Sequence, residues 1–211
     1  MMHRMGLRHQ QTDTVVIGRF NPHIITPDWL RKFGISKPGE DVSPNVQLSA
    51  KAIILRFDVG EYTWSVDAGR LVISTETSGN TAEKAAAVLN LLPHTPVTAV
   101  GSNFRYRCNV SEWRGRLPKL DDVGMEGLAD EGEVRELTWK ASVKKANGVI
   151  LNAQVSVEPA ASLQPDVVVS VNCHREVSEA SEVASIAAQF SHDRDVAIQF
   201  IETVFRERVE S

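Results

Sequence analysis

The feature of this sequence that most constrains its fold is a pattern that occurs twice. Two strand-like segments lead into an apolar run at 70–76, and a helix-like segment follows at 81–92. In the second half, two more strand-like segments precede an apolar run at 166–172, and an amphipathic segment follows at 191–208 after an insertion. The order predicts a duplicated strand-strand-strand-helix unit and one large antiparallel sheet.

We therefore expect an α+β fold in which about seven or eight antiparallel strands form one sheet from two similar halves. The two amphipathic helices would pack on one face of the sheet and leave the other face to solvent or a partner. A flexible N-terminus, a first half, an irregular acidic crossover and a second half would together make one compact domain. These segments are residues 1–13, 14–110, 111–133 and 134–211.

Turn and breaker residues mark the ends of the expected strands. We expect a first strand at 14–20 and a loop at 36–50, where serine, proline, glycine and acidic residues concentrate. Gly101 predicts a bulge or bend within the strand that begins near Thr95. Asn147–Gly148 is typical of a tight hairpin turn in the second half.

Capping residues mark the ends of the expected helices. Thr26 before Pro27 predicts the start of a short helix, and Asn80 or Thr81 is the expected N-cap of the helix-like segment at 81–92. Ser191 predicts the N-cap of the last helix, so the consecutive Ser191, His192 and Asp193 are interpreted as a helix start and not as a catalytic triad. The last helix carries a wide apolar stripe, which consists of Ala197, Phe200, Ile201, Val204 and Phe205.

The sheet face opposite the helices is expected to be polar. Alternation along the strands gives it Arg56, Arg105, Arg107, Lys140, Asn152, Gln154, Asn172 and His174. Trp113 lies among charged neighbours, and tryptophan beside arginine is typical of interface hot spots and of base stacking. A Trp that covers the sheet edge and arginines on a solvated strand are the structural alternatives. The candidate partner-binding residues are Arg105, Arg107, Trp113, Arg114, Arg116 and Lys140.

No residue pattern predicts a catalytic, metal-binding or cofactor-binding site. The histidines are scattered, and Cys173 and His174 point to opposite faces because they are neighbours on a strand. The glycines match neither of the common phosphate-binding spacings. We interpret Cys108 and Cys173 as reduced core thiols, with a disulfide or a nucleophile as the alternatives. We assign no catalytic residue, no metal and no cofactor, and an enzyme is the less favoured class.

Composition limits the partner and the compartment. A formal net charge of −4 argues against general affinity for nucleic acid, although a local basic face is compatible with it. No apolar run approaches the roughly 20 residues that span a bilayer. The first residues do not resemble a signal peptide, and two cysteines suit a reducing compartment. We expect a cytoplasmic protein without a membrane partner.

Two short patches carry a resemblance. They are Phe20-Asn21-Pro22 with Thr26–Trp29, and Thr95–Phe104. These patches resemble motifs of small bacterial proteins of sporadic distribution that have no assigned activity. The resemblance implies a bacterial cytosolic accessory protein and brings no catalytic residues.

Three functional hypotheses remain open. The first is a non-catalytic binding module, an adaptor or complex subunit that docks a protein partner or further copies of itself. The second is a nucleic-acid-binding protein that uses Arg105, Arg107 and Lys140 on a basic sheet face. The third is a small-ligand carrier or an enzyme with a pocket between the sheet and the helices.

Overall fold

A computed structural model describes residues 6–48, 53–109, 137–145, 147–158, 166–205 and 209–210. These residues form one open antiparallel sheet of nine strands with four helices, which confirms an α+β fold. The strands are β1 (Leu7–Gly18), β2 (Val42–Leu48), β3 (Ile53–Val59), β4 (Tyr62–Val66), β5 (Arg70–Thr75), β6 (Val97–Asn109), β7 (Leu137–Lys144), β8 (Ile150–Glu158) and β9 (Asp166–Glu176). The helices are α1 (Pro27–Lys32), α2 (Thr81–Leu91), α3 (Glu182–Ala187) and α4 (Phe190–Val204).

The two longest strands lie next to each other in the middle of the sheet. The strand order is β2-β3-β4-β5-β1-β6-β9-β8-β7, and every neighbouring pair in this order is antiparallel. A two-residue strand, β10 (Val209–Glu210), pairs in parallel with the start of β1. The chain therefore begins its first strand beside the segment that follows its last helix.

The first strand is longer than the sequence predicted. We expected a strand from residue 14 after a flexible terminus at 1–13, whereas β1 begins at Leu7. The Leu7 side chain is fully buried and lies in register with Val209. The sequence analysis did not predict this part of the strand, because most of its residues are polar. The apolar partner of Leu7 comes from the far end of the chain.

The expected loop at 36–50 contains a strand, so that prediction is wrong. β2 pairs with β3 over its whole length, from Val42 opposite Val59 to Leu48 opposite Ile53. Proline lacks a backbone N–H, and within a sheet it is tolerated mainly on edge strands. β2 is such an edge strand, and it accommodates Pro44.

The bulge expected at Gly101 is also absent from the ladder. β6 pairs with β9 without interruption from Ala99 to Asn109. In the pairing of β1 with β6 the register shifts twice, at Gln10, which is an extra residue on β1, and at Thr98, which is an extra residue on β6.

The caps of the first two helices follow the sequence, but the cap of the last does not. The Thr26 hydroxyl accepts a hydrogen bond from the Trp29 N–H at 3.3 Å, and the Asn80 side chain accepts one from the Glu83 N–H at 3.0 Å. α4 begins at Phe190 with Gln189 at the N-cap, so the expectation that Ser191 caps this helix is wrong.

The apolar stripe of α4 is narrower than the sequence predicted. Ala197, Ile201 and Phe205 are buried, but Phe200 is only partly buried and Val204 is 41% exposed. The Phe205 ring contacts the Trp139 ring of β7 edge-on, with centroids 5.1 Å apart.

The core is formed where the helices meet the sheet. α2 contacts β1 and β5, and α4 contacts β6 and β9. The Thr14 and Thr81 hydroxyls are 2.8 Å apart and buried, and the Phe104 and Phe190 rings lie 5.4 Å apart. Cys108 and Cys173 are buried free thiols, as the sequence predicted. In the part of the chain that the structure describes, no helix has the length and apolarity that crossing a bilayer requires.

Candidate functional site

The polar face of the sheet is the surface that carries Asn103, Arg105 and Arg107 of β6. The alternate residues of that strand, among them Phe104 and Tyr106, are buried on the opposite surface. Because the strand pairs fix which residues lie side by side, the polar face can be followed across the whole sheet.

Three of the six predicted partner-binding residues lie on the polar face. Arg105 and Lys140 are exposed, and they belong to one transverse row together with Gln154 and Ser170. Arg105 and Lys140 are separated by three strand spacings, which is about 14 Å. Arg107 is half-buried, with its Nη1 3.6 Å from the Asp166 carboxylate.

The other three predicted partner-binding residues, Trp113, Arg114 and Arg116, lie outside the described residues, as does the predicted crossover at 111–133. The tryptophan-arginine cluster remains a prediction. The site is therefore described from the strands alone.

The next transverse row of the polar face is a chain of hydrogen-bonded side chains that we call the amide row. It consists of Ser142, Asn152, Asn172 and Asn103, which are adjacent in register on β7, β8, β9 and β6. The Ser142 hydroxyl donates to Asn152 Oδ1 at 2.8 Å, and Asn152 Nδ2 donates to Asn172 Oδ1 at 3.1 Å. Asn172 Nδ2 then donates to Asn103 Oδ1 at 2.8 Å.

These bonds hold the amides in place without exhausting their bonding capacity. An asparagine amide has two N–H donors and a carbonyl with two lone pairs. Within the amide row, Asn152 and Asn172 each use one donor and one lone pair. Each keeps a second donor and a second lone pair for another molecule, so the row offers uncharged donors and acceptors at fixed positions.

Gly101 makes room for the amide row. A Cβ atom at this position would lie 2.6 Å from Asn172 Nδ2, so any other residue would displace the Asn172 amide. Glycine at 101 therefore leaves the Asn172 amide free to lie between Asn152 and Asn103. This space explains the glycine better than the bulge that the sequence suggested.

A groove of about 530 Å³ lies over the amide row and the row beside it. Lys140, Gln154 and Ser170 contribute to its lining together with all four members of the amide row. The lining therefore combines uncharged polar side chains with apolar surface beside Ala141, Ala153 and Val171, and among the described residues Lys140 is the one cation that lines it.

Charges on the described part of the polar face are mixed. Arg107 lies beside Asp166, and Asp13 lies in register with Asn103 and accepts a hydrogen bond from Gln11 Nε2 at 2.6 Å. Asp58 accepts one from the Thr63 hydroxyl. Acidic side chains therefore lie among the arginines, and the basic face that the sequence predicted is not uniformly positive.

A buried ion pair on the opposite surface was missed by the sequence analysis. Arg175 of β9 binds Asp193 of α4 through two hydrogen bonds of 2.6 Å. Nη1 donates to Oδ2, and Nη2 donates to Oδ1. The Asp193 and Arg175 side chains are only 3% and 12% exposed. The hydrogen bond to Asp193 raises the pKa of Arg175. No local sequence signal pairs two residues that lie on different elements.

This pair also removes Ser191-His192-Asp193 from catalytic consideration. The Asp193 carboxylate is engaged by Arg175, while Ser191 and His192 are exposed. Nearby, the Cys173 thiol donates to the Asp193 backbone carbonyl at 3.7 Å. Burial raises the pKa of Cys173 to about 12, which makes this thiol a poor nucleophile at neutral pH.

One histidine lies beside a hydroxyl group on the first strand. His9 Nε2 is 2.8 Å from the Thr12 Oγ1, and the His9 ring meets the Tyr106 ring edge-on at 5.9 Å. Burial lowers the pKa of His9 and raises that of Tyr106 to about 12. Thr12 is 1% exposed, so a substrate could not reach its hydroxyl. We interpret this pair as structural.

Among the residues whose placement is described, no three histidine, cysteine or acidic side chains are grouped closely enough to bind a metal ion. No protein-family model matches this sequence, and a search of the curated proteins finds no significant match.

Proposed function

We propose that this chain is a non-catalytic binding module, an adaptor or complex subunit that docks a protein partner on its polar face. The observation that carries the proposal is the amide row under the groove. Side chains that are already held in position lose little conformational entropy when a partner binds, so more of the contact energy contributes to affinity.

The chemistry of the groove favours a protein over a nucleic acid. Peptide groups and uncharged polar side chains supply the donors and acceptors that complement the spare bonds of Asn152 and Asn172. A nucleic-acid backbone would instead require concentrated cations, whereas Arg107 lies beside Asp166 and Asp13 lies in register with Asn103.

We further propose that the fold is a duplication whose helices cover one surface and leave the polar face for the partner. The strand order supports this, because β3-β4-β5-β1 on one side corresponds to β7-β8-β9-β6 on the other. α2 follows β5, and α3 and α4 follow β9. Thr14, which contacts α2, and Phe104, which contacts α4, share a surface because Thr12 is paired with Phe104.

The test uses one variant in the amide row and a matched control outside it. Asn152→Ala removes the amide that lies between Ser142 and Asn172, and Asn90→Ala removes an exposed asparagine from α2. Tagged versions would be expressed in the native host and captured with and without nuclease. Each co-purifying protein would then be prepared pure and its affinity for the three versions measured directly.

We expect Asn152→Ala to weaken binding of the cognate protein about tenfold, a loss of about 1.4 kcal/mol, while Asn90→Ala binds like the native chain. A partner that binds Asn152→Ala with full affinity would show that the groove is not the docking site. If the captured material disappears on nuclease treatment and binding falls steeply with salt, the nucleic-acid alternative replaces this proposal.

A further inference from the structure

A second concave site lies at one end of the sheet, away from the groove over the amide row. Phe20 and Ile24 before α1 face the segment from Leu91 to Pro96, which joins α2 to β6, across a space of about 370 Å³. The Arg19 N–H donates to the Pro96 carbonyl at 2.8 Å and so fixes the two segments to each other. The two sequence patches with the resemblance to small bacterial proteins meet here, and the proposed function does not use them.

The walls of this space are mainly apolar, and they lie at the surface. Ile24 and Leu91 are each 40% exposed. Phe20 is buried behind them and, with Leu92, adds further apolar surface. An apolar group that entered the space would cover surface that is now in contact with water.

The polar side chains that line the space are one cationic arginine and three further residues that carry no negative charge. Arg19 provides a permanent positive charge, and His94, Asn21 and Thr95 lie beside it. Within the described part of the chain, no carboxylate lines this space and no acidic side chain lies within ion-pair distance of Arg19. The site thus combines an apolar wall with an uncompensated cation, which complements a ligand that is apolar and anionic.

We infer that this site binds the C-terminal residue of a polypeptide, with a large apolar side chain against Ile24 and Leu91 and the terminal carboxylate at Arg19. A guanidinium binds a carboxylate through two parallel hydrogen bonds. A polypeptide end suits the site better than an acyl chain, because Asn21 and Thr95 line the space beside Arg19 and offer hydrogen bonds to peptide groups, which an acyl chain lacks. The inference uses none of the residues of the amide row, so the two proposals can fail separately.

The test uses the intact chain and short synthetic peptides as probes. The first probe is an acetylated pentapeptide that ends in leucine with a free carboxylate. The second has the same sequence with a C-terminal amide, the third ends in serine with a free carboxylate, and decanoate is the acyl probe. Binding would be followed by amide chemical shifts in NMR titrations up to about 5 mM, because short peptides with few contacts bind weakly.

We expect the leucine carboxylate peptide to bind, with its largest shifts at Ile24, Leu91 and Thr95. The C-terminal amide and the serine peptide should each bind at least about tenfold more weakly. Arg19→Gln should cause the same loss at an unchanged melting temperature. Lys145→Gln, which removes one positive charge from an exposed residue between β7 and β8, should have no effect.

Two results would overturn the inference. One is equal binding of the carboxylate and amide peptides, or no binding of either, because the site would then not recognise a terminal carboxylate. The other is tighter binding of decanoate than of the leucine peptide, because the occupant would then be an acyl chain. Neither result bears on Asn152→Ala, which tests the groove over the amide row.

Discussion

Replacement of the buried Asp193 by alanine should destabilise the protein more than the replacement of an exposed residue of α4. Its carboxylate receives both terminal nitrogens of Arg175 at 2.6 Å, and its side chain is 3% exposed. In Asp193→Ala the arginine would remain in a largely buried site without a charged partner, bonded only to the Gln189 side-chain oxygen, which is 3.2 Å from Nη2. Breaking a buried pair in this way costs roughly 3–5 kcal/mol.

The measurement is equilibrium unfolding in urea, supported by thermal melts. In a chain of this size, a loss of 3–5 kcal/mol lowers the melting temperature by roughly 6–20 °C. Asp195→Ala is the matched control, because Asp195 is an exposed acid on the same helix. Its free energy of unfolding should stay within about 0.5 kcal/mol of the native value.

A double substitution tests whether the loss of stability comes from leaving Arg175 buried without a charged partner. Replacing both partners, as in Arg175→Met with Asp193→Leu, removes both charges together and should restore much of the stability that Asp193→Ala loses. If Asp193→Ala costs less than about 1 kcal/mol, Arg175 must find solvent or another partner, and the inference that the pair is effectively buried is wrong.

Two further perturbations test the amide row and the core thiol. Gly101→Ala should displace the Asn172 amide and weaken partner binding as Asn152→Ala does. NMR of the side-chain amides would show the displacement, and affinity measurements would show the weaker binding. Unchanged Asn172 resonances would contradict the close approach at Gly101. Cys173 should resist iodoacetamide in the folded protein and react only after unfolding. Its pKa is raised to about 12 by burial, so the unfolded chain loses the thiol proton at lower pH than the folded chain. Stability should therefore fall as pH rises from about 9 towards 12, and reaction of the native thiol at pH 8 would refute this.

Much of the fold follows from local patterns. The alternation around Phe104 and Tyr106 correctly separates the buried surface from the polar face. Thr26 and Asn80 mark helix starts because a side-chain oxygen there accepts a hydrogen bond from the first helical turn. Such signals depend on neighbouring residues and so can be read directly from the sequence.

The features that were missed depend on distant residues. β2 looks like a loop until β3 pairs with it, because an edge strand tolerates Pro44 and polar side chains. The start of β1 is stabilised by Val209, which lies at the far end of the chain. Alternation placed Asn152 and Asn172 on the correct face, but only the register between strands shows that they are hydrogen-bonded to each other.

β9 connects the two parts of the molecule that these experiments address. Asn172 lies on the polar face of this strand, whereas Cys173 and Arg175 face α4. The ion pair with Asp193 holds α4 against the same strand that supplies the third side chain of the amide row. Asp193→Ala should therefore preserve the groove at temperatures well below its lowered melting point and lose binding only as the chain unfolds. Asn152→Ala should weaken binding about tenfold at every temperature, and this difference distinguishes a residue that stabilises the sheet from one that contacts the partner.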